Sequence, residues 1–192
     1  RLPQFVDYNF RSLFGDKLGE VMNDAHGAAI GAMHHFRDQL VLPASVLTLG
    51  TGVGMSILYG PTSVEPCEDI PSHPFFGGTG NTPLNLHKYL GQPGRDDLGL
   101  AYPERSQSGC AEYSARVLEA VAKIQRLSQG KFASFVLLGG GAWFLDLQHI
   151  DVLRQAKMEL AAVNILSDTS ASHRVALDGI VRATPLPHQP EG

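Results

Sequence analysis

Three glycines within five residues are the strongest chemical signal in this sequence. They are Gly50, Gly52 and Gly54, and Thr51 and Val53 stand between them. Glycines let backbone N–H groups approach an anion without interference from a Cβ, and the Thr51 hydroxyl adds a donor for a phosphate oxygen. The pattern favours a phosphate-binding loop, with an ordinary hairpin tip as the alternative. It does not match the GxxxxGK[ST] phosphate loop.

A second glycine cluster follows the apolar run 132–138 and precedes a helical pattern. Its members are Gly139, Gly140 and Gly141. Open α/β sheets bind ligands at such strand-to-helix turns, where unpaired helix N–H groups face outward. We expect an adenosine or a phosphate to approach this turn closely, although it does not fit GxGxxG. The alternative is a tight turn that only packs a strand against a helix.

A polar pair, Asn23 and Asp24, precedes a run of small apolar residues. Either side chain can cap the start of a helix, and capping alone is one interpretation. The functional interpretation makes Asp24 a general base that takes a proton from a substrate hydroxyl attacking a γ-phosphoryl group. Asn23 would then hold a neighbouring hydroxyl.

Apolar periodicity and turn residues predict the elements that position these groups. The predicted elements are a helix at 23–39, strands at 44–50 and 54–60, an amphipathic helix at 107–129 that ends with Gly130 as its C′ residue, a strand at 132–138, a helix at 143–160, a strand at 161–166 and a helix at 170–184. The segment 61–103, dense in Pro, Gly, Asn and Asp, is predicted to be an irregular insertion with at most a short helix near 84–90. The segment 186–192 is predicted to be a polar tail. This order predicts an α/β domain with a mixed sheet.

The composition argues against several classes of function. A chain of 192 residues with 43% hydrophobic and 18% charged residues is expected to form one globular domain. A net charge of −4 disfavours a nucleic-acid partner. Cys67 and Cys110 form no CxxC pair and have no His at metal-ligand spacing, so we expect neither a disulfide framework nor a zinc site and assign no metal-ligating residue. The use of only two cysteines, without a CxxC pair, favours a cytoplasmic location. No apolar run is long enough to cross a bilayer, so we expect no membrane partner.

Together these segments resemble the ROK (repressor, open reading frame, kinase) sugar kinases and polyphosphate glucokinases of the actin-like ATPase superfamily. The matching motifs, in chain order, are NDAHGAAIG at 23–31 for the catalytic segment, LTLGTGVG at 47–54 for the second phosphate loop, VLLGGG at 136–141 for the adenosine-binding turn and ALDGI at 176–180 for the closing helix. The resemblance implies that 1–185 is a ribonuclease-H-like (actin-like ATPase) lobe with a mixed sheet and flanking helices. It corresponds to the C-terminal lobe of the kinase fold, with 22–40 as the catalytic-segment helix.

The resemblance also implies an ATP-dependent phosphotransferase of carbohydrate metabolism that acts on a hexose-type hydroxyl. Asp24 would be the general base, and Asn23 and His73 would bind the sugar. His73 follows Glu68 and Asp69 and resembles a diverged version of the family's Glu-x-x-His pair. The nucleotide-binding residues implied are Gly50, Thr51, Gly52, Gly54, Gly139, Gly140 and Gly141. ATP or polyphosphate would be the phosphoryl donor, with Mg²⁺ in the intact protein.

One motif of the superfamily is missing from the sequence. The first phosphate loop, Asp-x-Gly-x-Thr, precedes the catalytic segment by a whole lobe, and only 22 residues precede Asn23. We therefore expect an N-terminal lobe or a partner chain to complete the site, the chain alone to be inactive, and the exposed lobe surface to favour a homo-oligomer. The alternative is a non-catalytic sugar-sensing regulator or a degenerate nucleotide-binding lobe.

Overall fold

The computed structural model describes residues 23–61, 63–74, 76–77, 83–102, 104–169 and 175. Its strands are β1 Ala44–Leu49, β2 Val53–Gly60, β3 Ser63–Pro66, β4 Phe76–Gly77, β5 Pro83–Leu84, β6 Ser134–Leu138 and β7 Asn164–Ser167. Its α-helices are α1 Asp24–His35, α2 Asp69–Ser72, α3 Leu86–Leu90, α4 Gln92–Asp96, α5 Gln107–Leu127 and α6 Leu147–Gln155. Two 3₁₀ helices span Gly140–Phe144 and Met158–Leu160.

The main sheet has five strands in the order β3-β2-β1-β6-β7, and β4 pairs with β5 separately. β2 is antiparallel to β1 and β3, whereas β1, β6 and β7 are mutually parallel. Thr48 pairs with Gly54 on one side and with Leu138 on the other. The loop after β1 and the turn after β6 therefore lie at the same edge of the sheet. This mixed sheet confirms the predicted α/β class.

Helices cover both faces of the sheet, each over its own hydrophobic core. Val46 belongs to the core beneath α1, and Leu47 belongs to the core beneath α5. Successive strand residues point to opposite faces, so a strand buried on both sides is apolar throughout. The helix α1 packs closely because its buried residues are alanines and glycines. A Cβ on Gly31 would lie 1.7 Å from the carbonyl oxygen of Val175, so only glycine fits there.

The start of α1 lies at the predicted position. The extended backbone of Asn23 and its side-chain oxygen, which accepts the Ala25 N–H at 2.8 Å, make it the N-cap. The helix ends at His35, four residues before the predicted end. The predicted hairpin is also confirmed, with strands that differ from the expected bounds by a single residue each.

The segment 61–103 contains more regular structure than the sequence predicts. It supplies the edge strand β3, the helices α2, α3 and α4, and the β4–β5 pair. These elements are at most five residues long, which is too short for an apolar periodicity to appear in the sequence. Close contacts between backbone atoms hold them in place. A Cβ on Gly91 would lie 2.6 Å from the Thr51 carbonyl oxygen, and one on Gly94 would lie 2.0 Å from the Tyr89 carbonyl oxygen.

The predicted helix at 143–160 is wrong as a single helix. The chain forms a 3₁₀ helix, becomes extended at Leu145, and starts α6 with Asp146 as its N-cap, which accepts the His149 N–H at 3.0 Å. Because Asp146 caps the first turn of α6, a second helix begins there and the 3₁₀ helix does not continue into it. The end of α5 also differs in detail, because both Gln129 and Gly130 adopt positive φ. The predicted helix at 170–184 lies outside the described residues apart from the helical Val175, and so does the tail 186–192.

Candidate functional site

A cleft of about 660 Å³ opens beside the hairpin loop, at the carboxyl end of β1. It is bounded by the start of α1, the loop 50–54, the segment around α2, and α3. Its lining residues are Asn23, Asp24, Ala25, Thr48, Gly50, Thr51, Gly52, Val53, Gly54, Met55, Pro66, Cys67, Glu68, Pro71, Ser72, His87 and Gly139. The sequence predicted Asn23, Asp24, the loop and Gly139, and the structure brings these together.

Asp24 is exposed at the first position of α1, on the wall of the cleft. One of its carboxylate oxygens accepts the Ala25 N–H at 2.8 Å, and the same N–H is shared with the side chain of Asn23. Within the described ranges no other group donates to this carboxylate. Asp24 is therefore an anionic hydrogen-bond acceptor that a ligand in the cleft can reach.

The loop 50–54 has a defined internal shape. The Gly50 N–H donates to the Gly52 carbonyl at 2.9 Å, which closes the tip, and the Val53 N–H donates to His87 Nδ1 at 3.0 Å. Among the described residues, the N–H groups of Thr51 and Gly52 have no acceptor. Two neighbouring donors on a tight turn form a concavity suited to an anion.

The second glycine turn meets the first across β1 and β6. Gly139 has φ 90°, and a Cβ there would lie 3.0 Å from the Leu49 carbonyl oxygen, so it runs directly against the end of β1. Gly141 is buried, and a Cβ on it would lie 2.8 Å from both the Leu49 Cβ and the Tyr113 hydroxyl. Gly140 is exposed, with open space above it. Only Gly139 of the three lines the cleft.

His73 lies apart from these residues. It is exposed at the end of α2 and does not line the cleft, whereas its neighbours Pro71 and Ser72 do. Glu68, at the start of the same helix, lines the cleft instead.

The sequence assigned no role to the lining residues Thr48, Cys67 and His87, and Glu68 entered only through the resemblance to the family's Glu-x-x-His pair. Thr48 and His87 are a strand residue and a short-helix residue whose roles depend on register and tertiary packing. No spacing signal in the sequence distinguishes them from ordinary structural residues.

A second cavity, of about 440 Å³, lies further along the same edge. Leu145 and Asp146, which follow the turn after β6, and Thr169, which follows β7, contribute to its wall. Arg105 closes it and donates to the Leu145 carbonyl at 3.0 Å, while its guanidinium lies 5.5 Å from the centre of the Trp143 ring. This cavity therefore offers a cation and a carboxylate close to the second glycine turn, and the Trp143 indole lies beside the cation.

Tyr113, in α5, and Tyr89, in α3, have perturbed acidities. Burial raises the pKa of Tyr113, an effect partly opposed by Arg95, and its hydroxyl donates to the Leu90 carbonyl at 2.8 Å. Burial also raises the pKa of Tyr89, and its hydrogen bond to Glu119 raises it further. Both side chains are therefore neutral donors at physiological pH.

Neither a metal cluster nor a membrane-spanning helix occurs in the part of the chain that the structure describes. No three His, Cys, Asp or Glu side chains there come together as metal ligands. The helices there are too short or too polar to cross a membrane.

Comparison with known proteins gives structural matches alone. No family model matches the chain, and no curated protein matches its sequence. The solved structures similar to it include a ROK family glucokinase from Streptomyces griseus in complex with glucose and AMPPNP, with a TM-score of 0.60 and 17% identity over 85% of this chain and 67% of that one. They also include a ROK hexokinase from Thermus thermophilus, with a TM-score of 0.56 and 16% identity over 82% of this chain and 62% of that one.

A third similar structure is a ROK family transcriptional regulator, a homologue of the E. coli MLC protein. Its TM-score is 0.50, and the 12% identity extends over 84% of this chain and 53% of that one. The chain thus spans between about half and two thirds of the length of these three proteins. At these identities the likeness concerns the fold.

Proposed function

We propose, from the premise that this chain has the ROK-type sugar-kinase-like fold of the actin-like ATPases, that it supplies the nucleotide-facing lobe of an ATP-dependent sugar kinase. The observation that carries the proposal is the shared cleft. One cavity is lined by a reachable carboxylate, Asp24, by the glycine loop 50–54 with two donors that lack acceptors within the described ranges, and by Gly139 from the second turn.

The loop is the proposed phosphate site. The N–H groups of Thr51 and Gly52 and the Thr51 hydroxyl would donate to phosphate oxygens, which concentrates positive partial charge where charge develops during phosphoryl transfer. The loop lies close to His87, because a Cβ on Gly52 would be only 2.9 Å from His87 Nδ1. A glycine loop of this kind lets the backbone itself contact the ligand.

Asp24 is the proposed general base. A sugar hydroxyl in the cleft would donate to its carboxylate, which takes the proton as that oxygen attacks the terminal phosphorus and the bond to the leaving phosphate breaks. The side-chain oxygen of Asn23 is occupied as the N-cap, so its NH₂ group is the part available to hold a second sugar hydroxyl. Glu68, which also lines the cleft, is a further acceptor for the sugar.

The residues described do not provide a complete magnesium site. Asp24 and Glu68 are the carboxylates that line the cleft among the described residues, and no three His, Cys, Asp or Glu side chains there form a group that could hold a metal ion. Mg²⁺ prefers octahedral oxygen ligation and takes much of it from phosphates, water and one or two carboxylates. We therefore propose that a second lobe or a partner chain brings the metal-linked carboxylate and closes the cleft.

The nucleoside end of ATP would lie over Gly140 and Gly141, towards the second cavity. Gly140 has open space above it, and the cavity beyond is lined by the Asp146 carboxylate and by Arg105, whose guanidinium lies 5.5 Å from the centre of the Trp143 ring. An aromatic ring and one acceptor suit a purine base.

Cysteine alkylation tests ligand binding in the cleft with an internal control. Cys67 lines the cleft and is half-buried, whereas Cys110, in the first turn of α5, is buried and lines the second cavity. Millimolar ATP or glucose is expected to slow alkylation of Cys67, and glucose is expected to leave the alkylation of Cys110 unchanged. If neither ligand protects Cys67, the cleft is not their site.

Turnover distinguishes the kinase from the regulator that the third similar structure raises as an alternative. A coupled assay would measure sugar-dependent ADP release by this chain alone and by the protein completed with its second lobe. We expect no release from the chain alone and robust release from the completed protein. Ligand protection of Cys67 with no turnover in the completed protein would favour the non-catalytic sugar sensor.

A further inference from the structure

Two short helices, α3 and α4, hold the loop that we propose to bind phosphate. His87, in α3, accepts the Val53 N–H at its Nδ1 atom. The Gln92 N–H, at the start of α4, donates to the Thr51 carbonyl at 2.9 Å. We refer to residues 86–96 as the loop clamp.

The third contact of the loop clamp is a buried guanidinium. Arg95 is 5% exposed, and its Nη2 donates to the Gly50 carbonyl at 2.9 Å and to Gln92 Oε1 at 2.9 Å, while Nη1 donates to the Leu90 carbonyl at 3.2 Å. All of these acceptors are uncharged. Within the described ranges no carboxylate oxygen lies within 4.0 Å of this guanidinium. A buried cation without an anionic partner is costly, so its retention beside the loop points to an anion that is bound there.

The loop clamp determines which backbone groups of the loop remain available to a ligand. The carbonyls of Gly50 and Thr51 are both occupied by donors from the clamp, and the Val53 N–H is occupied by His87. The N–H groups of Thr51 and Gly52 are left as donors on the cleft wall. Without these hydrogen bonds the loop would have to become ordered when a ligand binds, and the conformational entropy lost in that step would lower the affinity.

The backbone of the clamp approaches the loop too closely for a side chain to intervene. A Cβ on Gly91 would lie 2.6 Å from the Thr51 carbonyl oxygen, the atom that also accepts from Gln92. This contact holds the turn between α3 and α4 against the loop.

We propose that the loop clamp presets the loop 50–54 for a phosphate group, with His87 and Arg95 as positioning residues, and that the bound phosphate balances the Arg95 charge. The inference rests on the proposed function, since it takes the loop to be the phosphate site. His87 contributes shape, because its hydrogen bond holds the end of the loop. Arg95 contributes a positive charge. Its guanidinium is buried, where solvent screens charge poorly, and it donates to the Gly50 carbonyl at the start of the loop.

The test is a ¹H–¹⁵N NMR titration of the whole chain with inorganic tripolyphosphate, following the Thr51 and Gly52 amides. Two matched pairs separate the roles. His87→Asn keeps an acceptor near the Nδ1 position and His87→Leu removes it. Arg95→Lys keeps the charge and Arg95→Met removes it.

We expect the wild-type amides of Thr51 and Gly52 to shift on titration. His87→Leu should weaken binding on the order of tenfold, and His87→Asn by about twofold or less. Arg95→Met should weaken binding on the order of tenfold and flatten its salt dependence, whereas Arg95→Lys should keep that salt dependence. A merely structural role of Arg95 would not change the salt dependence.

A ligand-free measurement supports the same distinction. Hydrogen exchange at the Val53 amide should become faster in His87→Leu and stay slow in His87→Asn. If the Arg95 variants fail to fold, the His87 pair decides the question with both measurements.

The possible failures are separable. If the wild-type amides respond to tripolyphosphate but His87→Leu and Arg95→Met bind as tightly as the wild type, the clamp inference is wrong and the phosphate site stands. If the wild-type amides of Thr51 and Gly52 do not respond, the proposed phosphate site fails and the inference fails with it. Adenosine alone should leave both amides unmoved, and a response to it equal to that seen with tripolyphosphate would overturn phosphate as the group recognised.

Discussion

Gly54 and Ala25 lie so close together that a Cβ on Gly54 would be 2.9 Å from the Ala25 Cβ. The same Cβ would lie 2.4 Å from Thr48 Oγ1, across the β1–β2 pair. This contact joins the start of α1, which carries Asp24, to the end of the loop 50–54. The distance between the proposed base and the proposed phosphate site therefore depends on a position that only glycine fits.

Gly54→Ala should destabilise the protein by about 1–3 kcal/mol, because neither Thr48 nor Ala25 can move away without shifting its backbone. Gly60→Ala, in the same strand, is the control, since its Cβ would meet only Ser63 at 3.9 Å. Urea denaturation measures both. Equal stability of the two variants would mean that α1 and β2 do not make the close contact between Ala25 and Gly54.

The second glycine turn provides a matched pair of variants, Gly139→Ala and Gly140→Ala. Gly139→Ala should cost about 1–3 kcal/mol, because φ is 90° and the Leu49 backbone lies within 3.0–3.2 Å of the added Cβ. Gly140→Ala, with nothing within 4 Å, should leave the unfolding free energy within about 0.5 kcal/mol of the wild type. It should still weaken nucleotide binding if the nucleoside lies over that residue, and calorimetry with ATP would detect the change. Unfolding free energies that fall equally in both variants would contradict the geometry of this turn.

Alkaline pH should destabilise the folded chain through Tyr89 and Tyr113. The pKa of each is raised above 10.0 in the folded state, chiefly by burial, so the folded state holds these protons more tightly than the unfolded state does. This stabilising contribution is complete below pH 10.0 and is lost as the pH rises above it towards the folded-state pKa values.

The free energy of unfolding, measured by urea titration at several pH values, should therefore fall above about pH 10. The fall should be smaller in Tyr89→Phe and in Tyr113→Phe than in the wild type. Tyr102→Phe is the control, because that side chain is 75% exposed. A fall that is unchanged in both phenylalanine variants would exclude these two tyrosines as its cause.

The elements that the sequence predicted well are those with strong local signals. The cap at Asn23, the glycine tip between two apolar strands and the buried run before Gly139 each determine their own structure through local chemistry. Because β1 and β6 are parallel neighbours, two loops predicted separately from their glycines end at one sheet edge.

The short helix predicted near 84–90 is confirmed by α3, but the rest of the loop clamp could not be predicted from the sequence, for a physical reason. α3 and α4 are five residues each, too short for periodicity to register, and they are stabilised by contacts with the loop rather than by their own propensities. Arg95 and His87 acquire their roles only when residues about 35 to 45 positions apart in sequence meet. The break at Leu145 had one local signal, the cap at Asp146, which the apolar pattern on either side obscured.

Asp24 is the residue on which the proposed chemistry depends. Asp24→Asn keeps the size of the side chain and an oxygen that can accept the Ala25 N–H, so α1 should still start normally. It removes the ability to take a proton from a sugar hydroxyl. Nucleotide affinity should barely change, because the phosphate donors lie in the loop. Asp38→Asn is the matched control, at a side chain that is 90% exposed.

The most direct measurement is kcat for sugar-dependent ADP release by the completed two-lobed protein, compared between the wild type and Asp24→Asn. We expect kcat to fall by a factor on the order of 10² or more in Asp24→Asn, with ATP binding and folding stability preserved and Asp38→Asn equal to the wild type. An unchanged kcat in Asp24→Asn would contradict the assignment of Asp24 as the base and, with it, the proposed role of this cleft in sugar phosphorylation.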